Sequence, residues 1–262
     1  MMINRAMNPW FPLVKSSSDA CLRLFCFSYA GGSATVYRSW PDLLSHKIEV
    51  CALQIPGRSA RLHEKPFTAM QPLVDVVARE LANWMDKPFA FFGHSMGATL
   101  SFEVARKLHS DQGVKPEHLF VSGRRAPHRR SPATIYDLPE PQFIEKLRHL
   151  KGTPNDVLEH EEFLKLLIPM LRADFEVIET YQYVPGSVLS CPITAMGGLE
   201  DEEVGHEDVQ AWQEVTSGEF SMRMFPGAHF FLHSAQTQLL QTLSSKLQPF
   251  FDRVASQHSR SD

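Results

Sequence analysis

Cysteine is scarce in this chain: four among 262 residues, at positions 21, 26, 51 and 191, each alone in an apolar stretch and none in a C-x-x-C pair. Such spacing excludes a thiolate zinc site and a disulfide framework, and fits reduced, buried thiols in a cytoplasmic protein. H-E-x-x-H, the phosphate-binding G-x-x-x-x-G-K-[ST] and a dinucleotide fingerprint are all missing, so no metal and no cofactor is implied. Neither sign of charge dominates, with 26 basic against 30 acidic residues and a net charge of −4. A nucleic acid partner normally needs a strongly basic surface. No apolar run approaches the roughly 18 residues of a membrane span. Charged and polar residues near the N-terminus interrupt the apolar core that a signal peptide needs. These absences predict a soluble, intracellular protein with no membrane contact.

What remains is an ordinary globular composition, 43% hydrophobic and 21% charged. The length suits one large α/β domain with room for a smaller insertion. The chain is organised around Phe89-Ala90-Phe91-Phe92-Gly93-His94-Ser95-Met96-Gly97-Ala98. A short Phe-rich apolar run reads as a buried parallel strand. Ala98 through Lys107 reads as a helix, with Leu100, Val104, Ala105 and Leu108 sharing a face. Between them lies G-x-S-x-G, which alone turns up by chance in roughly one chain in ten of this length. Strand, sharp turn and helix in that order make it a nucleophile elbow. Gly93 and Gly97 leave room for strand and helix to pass closely, and the turn lifts Ser95 to the positive end of the helix. The Met96 N–H then points at the position of an oxyanion.

Taken in order, residues 1–20 read as a flexible arm in which Trp10 and Phe11 pack against something. Leu22–Phe27 is the first strand, and it ends in the small-residue loop Ser28-Tyr29-Ala30-Gly31-Gly32-Ser33-Ala34. That loop reads as the second half of an oxyanion hole, with Ala30 N–H as its donor; a plain tight turn is the alternative. A short helix is expected over Trp40–His46, a strand over Glu49–Ile55, a turn at Pro56-Gly57-Arg58 and a helix over Gln71–Trp84. Arg58, Arg61, His63 and Glu64 read as a solvated or salt-bridged loop. His118–Ser122 is the next strand, and Arg124, Arg125, Arg129 and Arg130 follow it. This alternation predicts a mostly parallel central sheet with helices on both faces, divided between residues 21–130 and 188–254.

Residues 131–187 contain no convincing strand. Helices are expected over Phe143–Leu150, Phe163–Leu171 and Asp174–Tyr183, a helical insertion far longer than an ordinary connection. Over an elbow serine it reads as a lid. Leu167, Met170, Leu171 and Phe175 either line a channel for an apolar acyl chain or pack the lid onto the body. Strands at Pro192–Met196 and Phe220–Phe225, a helical Ala211-Trp212 and a helix over Gln236–Phe251 complete the chain. Residues 255–262 are expected to form a disordered tail.

A serine hydroxyl needs a neighbouring base, and that base needs an acid to orient it. Ser95, Asp201 and His229 follow predicted strands in the order Ser, acid, His of α/β-hydrolases, which brings all three to the carboxyl edge of the sheet. Among twelve histidines, His229 is favoured because it follows the last strand in a turn opened by Pro226-Gly227. His233 falls inside the next helix, and His94 is expected to point away from Ser95 as a structural residue. Glu200, Asp201, Glu202 and Glu203 form an acidic run; Asp201 is the favoured acid and Glu200 the alternative.

These features together resemble the type II thioesterases that accompany polyketide and nonribosomal peptide synthetases. The likeness runs from about Leu22 to Phe251. It rests on Tyr29 to Ala34, Pro56-Gly57-Arg58, Gly93 to Gly97, Ser122-Gly123-Arg124-Arg125-Ala126-Pro127, Leu171-Arg172-Ala173-Asp174-Phe175, Gly197-Gly198 and Pro226 to Phe231. The resemblance implies an α/β-hydrolase fold. Ser95 would be nucleophile, His229 base and Asp201 acid, with the Ala30 and Met96 amides as oxyanion donors. It implies hydrolysis of aberrant or stalled acyl groups from the phosphopantetheine arm of acyl or peptidyl carrier proteins. Two other readings stand beside it. One is a medium-chain acyl-carrier or acyl-CoA thioesterase releasing fatty acids, and the other is a non-catalytic carrier-binding protein. Carrier proteins are typically acidic, so the four arginines could dock one, although a solvated or internally paired surface is the simpler reading. The chain is taken as a monomer.

Overall fold

The computed structural model describes residues 8–15, 17–129, 134–150, 152, 160–186 and 188–258. Six strands, β1 (Leu22–Phe27), β2 (Ile48–Ala52), β3 (Phe89–His94), β4 (Leu119–Ser122), β5 (Ile193–Gly198) and β6 (Phe220–Phe225), form one sheet. Their order is β2-β1-β3-β4-β5-β6, and every neighbouring pair is parallel. Parallel strands need crossovers on the faces of the sheet, so the first five strands are buried along their whole length.

The two faces can be followed residue by residue. Leu22, Leu24, Cys26, Ala90 and Phe92 join one apolar cluster with α1 (Trp40–Leu43) and α8 (Gln236–His258). Phe25, Phe27, Phe91 and Cys51 join the other, with α2 (Met70–Ala82) and α3 (Met96–Gln112). This is the alternation that a pleated strand imposes when both its faces are covered. The chain lays β2 on one side of β1 and β3 on the other. The crevice beyond the carboxyl ends of β1 and β3 is therefore a topological switch point, where open α/β sheets place ligands. Register pairs Phe27 with Gly93, so the loop after β1 and the turn at Ser95 face one another. The remaining helices are α4 (Glu140–Leu150), α5 (Glu161–Glu179), α6 (His206–Gln210) and α7 (Phe231–Ser234).

Several expectations need correcting. The helices expected over Phe163–Leu171 and Asp174–Tyr183 are one helix, α5. Arg172 and Ala173 are good helix formers and nothing there breaks the ladder. Pro169 lies inside α5 and removes one backbone donor without ending the helix. The C-terminal helix runs to His258, four residues into the stretch expected to be a disordered tail. Near the N-terminus the expected packing of Trp10 and Phe11 is present: Phe11 is 1% exposed and lies against Phe25 and Trp84. Arg61, expected in a solvated or salt-bridged loop, is salt-bridged and buried. Its guanidinium lies 4.1 Å over the Trp10 ring and pairs with Glu64.

Candidate active site

Ser95 occupies the turn between β3 and α3 with φ 53° and ψ −117°. A left-handed φ in a non-glycine residue costs on the order of 1–3 kcal/mol and persists only where the surroundings enforce it. Here they do. A Cβ on Gly93 would lie 2.2 Å from the Gly97 carbonyl oxygen, so only glycine lets helix and strand meet at this distance. The Ser95 N–H donates to Ser122 O at 2.8 Å, tying the turn to β4.

Ser95 Oγ lies 3.0 Å from His229 Nε2, and His229 Nδ1 lies 2.8 Å from Asp201 Oδ2. The Asp201 side chain is fully buried. Its Oδ1 accepts the backbone N–H groups of Glu203 at 2.9 Å and Val204 at 3.2 Å. A carboxylate only accepts, so the ring donates from Nδ1 and presents the Nε2 lone pair to the serine hydroxyl. Glu200 is exposed on the adjoining loop and makes no such contact.

Ala30 and Met96 border the same cavity as Ser95. Gly32 N–H donates to Tyr29 O at 2.9 Å, and Gly31 has φ 80°. Those are the marks of a type II turn with Ala30 and Gly31 at its centre. Tyr29 C=O and Ala30 N–H belong to one peptide plane. A carbonyl turned into the loop therefore leaves the N–H facing outward.

The cavity is about 200 Å³. Its apolar wall includes Ile135, Leu147, Leu150, Leu171, Phe175 and Ile178, and Arg124 and Glu179 add polar groups. Burial, then the neighbouring Arg125 charge, lowers the Arg124 guanidinium to about 10. Glu179 Oε2 accepts the backbone N–H groups of Ile135 and Tyr136, and burial raises its carboxyl above the usual range. A larger groove of about 810 Å³ opens between α2, α3 and residues 180–189. Ser95, Asp201 and His229 are not among its lining residues.

A family profile described as "Thioesterase domain" matches residues 22–247. The chain belongs to the thioesterase family. Gramicidin S biosynthesis protein GrsT of Aneurinibacillus migulanus is 45% identical over 242 residues, covering 92% of this chain and 94% of that protein. Among solved structures, the type II thioesterase BorB from the borrelidin biosynthetic cluster superimposes with a TM-score of 0.82 at 34% identity, covering 92% and 97% of the two chains. RedJ, a thioesterase of the prodiginine pathway in Streptomyces coelicolor, gives 0.82 at 37% identity, covering 93% and 94%. The fold is that of an α/β-hydrolase, and the chain is a thioester hydrolase.

Other side chains of this thioesterase lie elsewhere than expected. Of the four candidate channel residues, Leu171 and Phe175 line the cavity. Leu167 and Met170 are not among its lining residues and pack within the apolar cluster of the insertion, which also holds Leu147, Leu171 and Phe175. Leu171, Phe175 and Ile178 are spaced i, i+4 and i+7 along α5, a face that sequence periodicity could have extended to Ile178. Ile135 and the α4 residues carry no such signal. His94 is fully buried, in keeping with a structural role, and its ring centre is 5.4 Å from that of His229. Burial, and the nearby His229 and His233, hold it well below the usual histidine range, and its Nδ1 meets Ser122 Oγ at 2.9 Å. Arg124, Arg125 and Arg129 line one groove. Arg124 borders the cavity, and Arg125 is buried and donates to Glu203 O. Arg129 faces Glu214 at 3.7 Å, and Arg130 lies outside the described residues. Among the described residues, no helix is long and apolar enough to cross a membrane and no cluster could hold a metal ion.

Proposed function

We propose that this thioesterase removes short acyl groups from the phosphopantetheine arm of carrier proteins in a peptide or polyketide synthase, through an acyl-Ser95 intermediate. In this reading Ser95 Oγ attacks the thioester carbonyl carbon while its proton passes to His229 Nε2, and Asp201 stabilises the imidazolium. The oxyanion accepts hydrogen bonds from the Ala30 and Met96 N–H groups. Collapse of the adduct breaks the C–S bond. The departing thiolate, whose parent pKa is near ~8.5, takes up the proton held by His229 and leaves the imidazole neutral again. His229 then takes a proton from water, which attacks the acyl-serine, and returns it to Ser95 as the acid is released.

The observation that carries the reading is the Ser95–His229–Asp201 chain opening into a cavity of about 200 Å³ that has an apolar wall. That volume is below the ~300–1,000 Å³ of most small-molecule sites, which favours a short acyl unit over a fatty acid. Residues 131–187 act as the lid. The enzyme is read as a cytoplasmic monomer that needs no cofactor beyond its partner's phosphopantetheine.

The test is hydrolysis of acetyl- and octanoyl-loaded carrier protein by the wild type and Ser95→Ala. Faster release of acetyl, abolished by the substitution, supports the proposal. A strong octanoyl preference points to fatty-acid release, and binding of both carriers without turnover points to a non-catalytic role.

A further inference from the structure

Arg58 and Asp174 lie 116 positions apart in the chain and meet as a buried pair, 4% and 1% exposed. Arg58 Nη2 donates to Asp174 Oδ1 at 2.6 Å and Nη1 donates to Oδ2 at 2.7 Å, a two-point fit of guanidinium to carboxylate. Asp174 Oδ2 also accepts the Gly31 N–H at 2.7 Å. Arg58 Nη1 donates in addition to Gly32 O at 2.9 Å. Three segments therefore converge on one carboxylate: helix α5, the turn after β2 and the Tyr29–Gly32 loop.

The Gly31 N–H belongs to the central peptide of that turn, the group whose half-rotation separates a type II turn from a type I. Rotation would bring the Ala30 carbonyl oxygen toward the Asp174 carboxylate in place of a donor. The negative charge thus rejects the flipped turn as well as holding the observed one. A second contact comes from the same helix face, three residues earlier. A Cβ on Gly31 would lie 2.6 Å from Leu171 Cδ2, so α5 packs directly against the peptide it hydrogen-bonds.

We propose that Asp174 and Arg58 are positioning residues of the oxyanion hole, making α5 a fixed strut of the active centre rather than part of a freely moving cover. The proposal rests on the reading of Ser95 as nucleophile and Ala30 N–H as oxyanion donor. It follows that α5 cannot swing away from the body without releasing the Gly31 peptide.

The test compares the wild type with Asp174→Ala, Asp174→Asn and the double variant Arg58→Met/Asp174→Leu. The double variant replaces the buried ion pair by apolar groups, a change that generally leaves such sites folded. For each, kcat and KM on acetyl-carrier protein, the rate of Ser95 labelling by a fluorophosphonate, and the thermal melt are recorded. Removing a single oxyanion donor typically costs 10²- to 10³-fold, and a misplaced donor less. Asp174→Ala and the double variant are therefore expected to lose about 10- to 100-fold in kcat and in labelling rate, with KM within about threefold. Asp174→Asn, which keeps an oxygen acceptor for Gly31, should recover part of that loss. A folded double variant with wild-type kcat overturns the proposal. A rise in KM at unchanged kcat does so too, because the pair would then serve only substrate binding. If the wild type itself neither turns over acyl-carrier protein nor labels at Ser95, it is the reading of the site that fails.

Discussion

A Cβ on Gly97 would lie 2.1 Å from the Phe27 carbonyl oxygen. The first turn of α3 is therefore pressed against the end of β1, and the sharp turn at Ser95 depends on that contact. Gly97→Ala puts a methyl group where backbone already sits, and backbone cannot step aside as a flexible side chain can. The substitution is expected to lower thermal stability by several degrees and to abolish fluorophosphonate labelling of Ser95. A variant that labels at the wild-type rate would show that the turn tolerates a wider gap between α3 and β1.

The acid can be tested by charge removal at two neighbouring positions. Asp201→Asn leaves the shape of the site but spoils the donor–acceptor match at His229 Nδ1. A comparable change in a serine protease costs about 10⁴-fold in kcat, and a loss of about 10³- to 10⁴-fold is expected here. Glu200→Gln, at an exposed position, should stay within about twofold. Steady-state kinetics on acyl-carrier protein reads both.

Chain-length preference should follow the cavity wall. Ile178→Ala enlarges the cavity and is expected to raise the octanoyl-to-acetyl ratio of kcat/KM by about tenfold, within the range that one or two methylenes command in an apolar pocket. Leu167→Ala, at a position outside the cavity lining, should leave the ratio unchanged. If the two substitutions shift the ratio equally, the wall has been assigned to the wrong face of α5.

Acid should destabilise the fold through His118. Its ring is stacked on Phe120, and its Nε2 meets Thr194 Oγ1 at 2.8 Å. Burial, then the Lys246 charge, lowers its pKa from 6.5 to about 4. The unfolded chain therefore takes up a proton that the folded chain refuses. The associated stability is full above about pH 6.5 and is lost as pH falls from there toward about 4. The maximum effect is on the order of 3 kcal/mol. Urea unfolding at pH 7 and pH 4.5 should show a smaller difference for His118→Gln than for the wild type.

The parts legible in the sequence were those that local pattern dictates. Leu22–Phe27 and Phe220–Phe225 have the expected bounds, because each is a short run of strand-forming residues bounded by turn formers. Ser95, Asp201 and His229 could be placed because parallel topology brings the ends of β3, β5 and β6 to one edge. The insertion was less legible. Nothing in Arg172-Ala173 marks a break or excludes one, and of the adjacent apolar residues Met170 and Leu171 only the second lines the cavity. Arg58 looked like a surface charge because its partner lies on a helix 116 residues away. A pairing across that separation leaves no periodic trace in either segment.

The strand order β2-β1-β3-β4-β5-β6 has one more consequence. The Ala30 loop follows β1, Ser95 follows β3, Asp201 follows β5 and His229 follows β6, and these strands become neighbours only when nearly the whole sheet has assembled. A partly folded chain has no partial site, because any missing strand removes a reacting group or its support. Hydrolysis thus counts completely folded molecules, and refolding followed by recovered activity should lag behind refolding followed by helix content.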